Sequence, residues 1–269
     1  MSSTELARQE CAVTILGGPT AVLDIGGLRI VSDPTFDDPA PHGYLTKTTG
    51  PAVAEADLGP VDLVLVSHDL HPDNLDDRGR AFAEAAPLVV TGPRSAERLG
   101  PPAVGLSPWS SRAVPRGDGG GDLTVLVVPA VHGPEDADRD ADGNVNCEVS
   151  GFVLSGEGLP TVYISGDNAS IRTVAEISRR LPDIDVAVLH AGAARVPTKF
   201  DGRPLSLDSR RAAAAAAVLD PRLVVPAHFD GWTHFSEGLA DLRLAFDEAG
   251  LSELLRVAPH GSWTRLDKS

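Results

Sequence analysis

Residues 67–74 read SHDLHPDN, and five of these eight side chains can bind a metal: His68, Asp69, His71, Asp73 and Asn74. They follow the apolar run VDLVLV at 61–66. A run of Val and Leu reads as a buried strand. Polar ligands directly behind it sit where a strand ends and a loop begins, which is where open α/β folds keep their chemistry. Asp69, His71 and Asp73 alternate, so in an extended loop they would face one point, and Asn74 adds a turn. A helix cap by Asp73 or Asn74 explains a lone residue of this kind. It does not explain two His and three Asp/Asn together, a composition that points to metal binding.

Four more potential ligands end apolar runs. His132 follows LTVLVVPAV, Asp167 follows TVYISG, His190 follows VAVL and His228 follows LVVPA. Any one of them could be a satisfied histidine at a strand edge or, for Asp167, a helix cap. Their repetition at strand ends is hard to explain by packing alone. Weaker signals surround them. Arg195, Lys199 and Arg203 share a Pro/Gly-containing loop and could clamp an anionic substrate. Trp232 and His234 could wall the substrate pocket, with His190 lining it. The acidic stretch DRDADGNVNCE at 138–148 resembles a calcium loop, but its Glu is one place early and no helix flanks it.

These residues need strands to carry them. The sequence predicts strands at 12–16, 20–24 and 28–31 with Gly-rich turns between them, then at 61–66 and 88–91. A second β group covers 123–128, 149–154, 161–165, 186–190, 223–226 and 254–257. Helices are expected near 78–86, from 94, and over 171–180, 206–219 and 239–249. Two halves, each β-rich and then α/β, imply an α/β fold of two sheets packed face to face with helices outside.

A chain of 269 residues with 42% hydrophobic and 23% charged content is long enough for a sizeable core and ordinary for a globular protein. Its net charge of −15 argues against nucleic-acid partners and anionic membrane surfaces, both of which demand a basic footprint. No apolar stretch approaches a membrane span. Residues 1–10 lack the apolar core of a signal peptide and read as disordered. A cytoplasmic location is expected, with a small-molecule substrate; a homo-oligomer is left open. Cys11 and Cys147 are too few for a disulfide framework.

The ordered set resembles the metallo-β-lactamase-fold hydrolases, in the branch of the ascorbate-phosphate lactonase and the N-acyl-phosphatidylethanolamine phospholipase D. VTILGGPTAVLDIGGLRIVSDPTF is similar to that branch's opening meander, SHDLHPDN to its His-x-His-x-Asp-His loop, VVPAVHG and VVPAHFDGW to its later histidines, and ISGDN to its bridging aspartate. The resemblance implies a four-layer αββα sandwich over 11–269 as a single domain. It implies one or two divalent ions (Mn²⁺, Zn²⁺ or Fe²⁺) and hydrolysis of a small ester, lactone or phosphoester by a metal-bound hydroxide. In the family register, Asp69, His71 and His132 would hold one metal and Asp73 and His228 the other, with Asp167 bridging. Asp73 or Asp167 would orient the nucleophile. His68 falls one residue early, and Asn74 stands at the last histidine position as a weak or outer ligand. A carboxylate at 69 would shift preference from zinc toward Mn²⁺ or Fe²⁺. The alternative is a non-catalytic binding domain whose site has drifted at Asp69 and Asn74.

Overall fold

The computed structural model describes residues 5–267. The chain opens on three short strands, β1 (Ala12–Gly17), β2 (Thr20–Ile25) and β3 (Leu28–Ser32), paired antiparallel. Their two connections are tight: Gly26-Gly27 both take positive φ, as a type I′ hairpin turn matched to strand twist requires, and Gly18 supplies the positive φ that opens the Gly18-Pro19 turn. A small ribbon, β4 (Pro41–His42) and β5 (Leu45–Thr46), follows. The chain then alternates β6 (Leu63–Val66), α1 (Asp77–Glu84), β7 (Val89–Thr91), α2 (Pro93–Leu99) and β8 (Ala103–Gly105). These strands extend the sheet in parallel from β3.

The second half repeats the plan. β9 (Ser111–Pro115), β10 (Asp122–Pro129), β11 (Ser150–Ser155) and β12 (Val162–Ile164) run antiparallel. Then α3 (Ile171–Arg180), β13 (Val186–His190), α4 (Ser209–Leu219), β14 (Leu223–Ala227) and α5 (Leu239–Glu248) add parallel strands to the same sheet. The last strand, β15 (Thr264–Arg265), returns to the free edge of β1. The sheet orders are β15-β1-β2-β3-β6-β7-β8 and β14-β13-β12-β11-β10-β9.

Three apolar clusters show why four layers form. Successive strand side chains point to opposite faces. Leu63 and Leu65 of β6 therefore join Ile15, Leu23, Val125, Phe152 and Val188 between the sheets. Val64 and Val66 face outward, toward Phe82, Ala83 and Leu99 of the first helical layer. On the far side, Tyr163, Ala187, Leu189 and Val224 lie under Val174, Ile177, Ala212, Ala216 and Phe246. Each fully buried Val or Leu contributes roughly 1.5–3 kcal/mol, so strands buried on both faces carry the stability of the sandwich. The alanine run of α4 buries Ala212, Ala213, Ala215 and Ala216, which lets that helix approach α3, α5 and the sheet closely.

Three expectations are corrected. Residues 5–10 are not disordered: Leu6 donates its amide to the Asp57 carbonyl, and Arg8 reaches Gly27, Pro60 and Asp62. Residues 1–4 lie outside the described residues. The strand expected at 254–257 is absent, because Leu254 and Leu255 pack against the α5 side and leave only an isolated bridge from Leu255 to Val224. Helix α4 starts at 209 and not 206, because Asp208 is its cap and accepts the Arg211 amide at 2.8 Å.

Candidate metal centre

The carboxyl ends of β6, β10, β12, β13 and β14 converge, and every strand-end ligand candidate lies there. The first sheet contributes the loop after Val66. Its first residue, Ser67, is pinned on both sides: its amide donates to Asp33 Oδ1 at 2.6 Å, and its carbonyl accepts the Ser150 amide of the second sheet at 2.9 Å. The second sheet contributes His132, Asp167, His190 and His228. Asn168 locks two of those loops together, since its Oδ1 accepts the Val131 amide at 3.0 Å and the next amide, Ala169, donates to the Val131 carbonyl at 2.8 Å.

Three imidazoles form one half of the centre. His71 Nδ1 lies 2.8 Å from His68 Nε2 and 3.1 Å from His132 Nε2. The Nδ1 proton of His132 is held by the Leu205 carbonyl at 2.8 Å, so its Nε2 presents a lone pair to the centre. Burial holds all three rings neutral. It pulls His71 down to about 4 and His68 well below the usual imidazole range, helped by the neighbouring rings, and it lowers His132 as well. Neutral imidazoles aimed at one point are the protonation state a cation needs.

Carboxylates dominate the other half. Asp167 Oδ1 lies 3.0 Å from His190 Nδ1 and 3.3 Å from His228 Nε2. Asp73 Oδ2 lies 3.2 Å from His228 Nε2 and 2.9 Å from His234 Nε2. Burial alone would push both acids up. The facing imidazoles outweigh it and hold both well below the usual carboxylate range, His228 chiefly for Asp167 and His234 chiefly for Asp73. His228 is correspondingly raised, because the two carboxylates outweigh its own burial. Asp167 Oδ2 and Asn74 Oδ1 are buried with no hydrogen-bond partner. An orphaned carboxylate oxygen costs desolvation energy that a bound cation would return. The donor set therefore fits divalent ions.

Most of the expected residues meet here: His71, Asp73, His132, Asp167 and His228. His68, Asn74, His190 and His234 join them. Asn74 is a polar brace, with Nδ2 at 3.4 Å from each of Asp33, Ser67 and Asp167. Asp69 does not face the centre. Its carboxylate is engaged by Arg98, with Nε at 2.9 and 3.0 Å, and Arg80 adds a contact at 3.5 Å. The Arg98 bonds outweigh burial and lower its pKa. The expected alternation fails because the loop turns where extension was assumed. His68 and His71, three apart, point inward, while Asp69 faces Arg98 and Leu70 is 52% exposed. Trp232 is buried against Leu45 and Ala194 and lies 6.2 Å from the His234 ring.

Of the three expected anion-binding residues, only Lys199 reaches the site, with Nζ 3.4 Å from His71 Nε2 and 2.9 Å from Asn146 Oδ1. Arg195 is spent on Ser236 and the Gly202 carbonyl, and Arg203 on Asp136. The 138–148 loop is not arranged as a calcium cradle. Asp140 accepts from its own loop, Asp142 pairs with Arg94, and Glu148 accepts the Arg94 and Ser95 amides of α2. Sequence reasoning missed Asp33, which holds Ser67, and Cys147, which lies with His68, His71 and His132 in one buried group of potential donor atoms. Asp33 follows β3 and obeys the same strand-end rule, so that signal was present. Cys147 lies in an acidic loop with nothing nearby in the chain to mark it.

Residues 28–229 match the family model described as the beta-lactamase superfamily domain. The chain belongs to that superfamily. Relatives described as UPF0173 metal-dependent hydrolases match most of it. The one from Anaeromyxobacter dehalogenans (strain 2CP-C) is 27% identical over 245 residues, 89% of this chain and 82% of its own. That from Pelotomaculum thermopropionicum is 28% identical over 250 residues, covering 92% and 96%. Among solved structures, the isothiocyanate hydrolase from Delia radicum gut bacteria superposes with a TM-score of 0.77 at 20% identity, covering 94% of this chain and 98% of that one. At that identity the likeness speaks for the superfamily fold, two sheets between helical layers.

Proposed function

We propose that this protein is a metal-dependent hydrolase of small esters, lactones or phosphoesters. The observation that carries the reading is the meeting of three imidazoles, with His68 Nε2 and His132 Nε2 at 2.8 and 3.1 Å from His71 Nδ1, beside the buried carboxylates Asp73 and Asp167 that face His228. The superfamily membership and the description of the relatives as metal-dependent hydrolases support it. His68, His71 and His132 would hold one divalent ion, and Asp73, Asp167 and His228 a second. Such ions acidify a water and polarise a carbonyl or phosphoryl oxygen.

The chain's own residues do the rest. Asp73 and Asp167 are the buried acceptors available to orient an attacking water and take its proton. His234 and His228 hold Asp73 in place, and His190 holds Asp167. Lys199, at the edge of the histidine half, offers a cation for a negatively charged substrate group. With Asp69 turned to Arg98, the first half is built from nitrogen donors, which suit zinc better than manganese, while the carboxylates of the second half accept Zn²⁺, Mn²⁺ or Fe²⁺. No helix among the described residues is long and apolar enough to cross a membrane. We place the protein in the cytoplasm, acting on a small molecule.

The test is metal analysis of the purified protein, then a panel of esters, lactones and phosphodiesters with and without chelator. Chelator-sensitive turnover is expected, with a loss of at least about 100-fold in His228→Ala. Metal-free protein with no turnover on metal addition would overturn the reading.

A further inference from the structure

The histidine half of the centre has a fourth neighbour that no strand end supplies. Cys147 lies in the loop between β10 and β11 and is buried. Its Sγ and the ring nitrogens of His68, His71 and His132 all lie within 4.8 Å of one another. A tetrahedral zinc site has metal–nitrogen distances of about 2.0–2.1 Å and a metal–sulfur distance of about 2.3 Å, so its ligand atoms sit somewhat closer than this limit. Small side-chain rotations would close the set.

The backbone aims the thiol there. Asn146, immediately before it, takes a positive φ of 65°, a left-handed conformation that Asn adopts more readily than most side chains and that contacts here hold in place. The restraint is visible: Asn146 Oδ1 accepts from Lys199 Nζ at 2.9 Å, and the Cys147 amide donates to the Val145 carbonyl at 2.8 Å. The Lys199 ammonium thus sits beside this loop, where it would offset the charge of a thiolate. The receiving histidines are themselves built for a cation, since His68 and His132 are nine-tenths buried or more and the lone pair of His132 points inward.

We propose that Cys147 is a thiolate ligand of the metal held by His68, His71 and His132, making that half a three-histidine, one-cysteine site selective for zinc-like ions. The inference rests on the metal reading given under Proposed function. On binding, the S–H bond breaks, the proton leaves to solvent, and the sulfur electron pair is donated to the ion, with no change of oxidation state. Four protein donors complete a tetrahedron. The ion there would then be fixed by the chain, and the carboxylate half would be the more open one.

Cobalt titration of the metal-free full chain tests this, because a thiolate bound to Co²⁺ gives a near-ultraviolet charge-transfer band that imidazoles do not. The band is expected in the wild type and in Cys11→Ser, whose cysteine immediately precedes β1 at the end away from the site. It is expected to vanish in Cys147→Ser and Cys147→Ala while the visible cobalt bands persist, with zinc affinity down on the order of tenfold or more. Circular dichroism on both variants separates loss of the band from loss of the fold; if neither folds, the wild-type and Cys11→Ser spectra still decide whether a thiolate binds. Cobalt binding without the band in wild type, or with the band surviving in a folded Cys147 variant, overturns the proposal and leaves the metal reading standing. No cobalt binding, with His71→Ala indistinguishable from wild type, overturns both.

Discussion

Asp69 and Asp73 are four residues apart, both buried, and meet opposite partners. Asp73 faces His228 and His234; Asp69 faces Arg98 and Arg80. One carboxylate is thus available to a metal and the other is already neutralised by guanidinium groups in a bidentate pair. Asp69→Asn is therefore expected to keep metal content, with turnover within about threefold of wild type. It should cost about 1 kcal/mol of stability, because Arg98 stays part-exposed and can be rehydrated. Metal analysis and a denaturant midpoint check this, and loss of a metal equivalent would mean that the carboxylate swings into the centre. The sequence register assigned Asp69 to the metal because it counts positions along an extended chain. The extra residue between His68 and His71 is absorbed by a turn, and only the three-dimensional path of the loop shows which of 68 and 69 faces in.

At the scale of elements, Asp76 ties the site loop to its support. It caps α1 by accepting the Gly79 amide at 2.8 Å, accepts the Phe36 and Asp37 amides at 2.9 and 2.8 Å, and pairs with buried Lys47 at 2.8 Å. Asp76→Ala removes the cap and leaves Lys47 without its counter-charge, so a loss of roughly 3–5 kcal/mol is expected in urea unfolding with an unchanged slope. A second tie, His260 Nε2 to Asp230 Oδ2 at 2.6 Å, holds the C-terminal segment to the loop after β14. The hydrogen bond to Asp230 raises the His260 pKa above 6.5. A raised histidine stabilises fully below its unfolded value and loses that contribution as pH rises through the folded one. The Tm gap between wild type and His260→Gln should be widest near pH 6 and close toward pH 9. It should be small, because the pair is part-exposed.

Most elements were legible because their signals are local: Val/Leu runs for β6, β10, β13 and β14, paired glycines for the opening meander, alanine for α4. Strands β8 and β9 carry no such run and exist by pairing with β7 and β10, information that sits elsewhere in the chain. The same limit hid Cys147. His132, Asp167 and His228 were legible because each follows the carboxyl end of an apolar strand within three residues, whereas Cys147 precedes a strand, behind an acidic loop, and reaches the site only through the fold.

For the whole molecule, the candidate ligands divide between the two sheets. His68, His71 and Asp73 hang from the first, and His132, Asp167, His190 and His228 from the second. A metal bound there would fasten the halves together and bind only the folded chain. Ligand at about 100 times its Kd adds about 2.7 kcal/mol. For a chain of this size that corresponds to roughly 5–10 °C in Tm. Calorimetry with and without chelator should show one transition moving down by that amount. A shift confined to one of two transitions would mean that the sheets unfold independently.

His228 takes a φ of 57°, and its amide donates to the Gly18 carbonyl at 2.7 Å, so this candidate ligand sits on a left-handed backbone held by the first hairpin. Glycine adopts that conformation without the penalty a Cβ brings. His228→Gly should therefore relieve backbone strain while deleting the imidazole, and should be more stable than His228→Ala by about 0.5–1 kcal/mol. It would also open a ring-shaped void bordered by the His190 and Phe235 rings, which lie 5.1 and 4.1 Å from the imidazole. Such a void is a receptor for a free ring of the same shape. Soaking His228→Gly with exogenous imidazole is expected to restore part of the lost turnover in a saturable way, and N-methylated imidazoles should rank by how well they fit the stack.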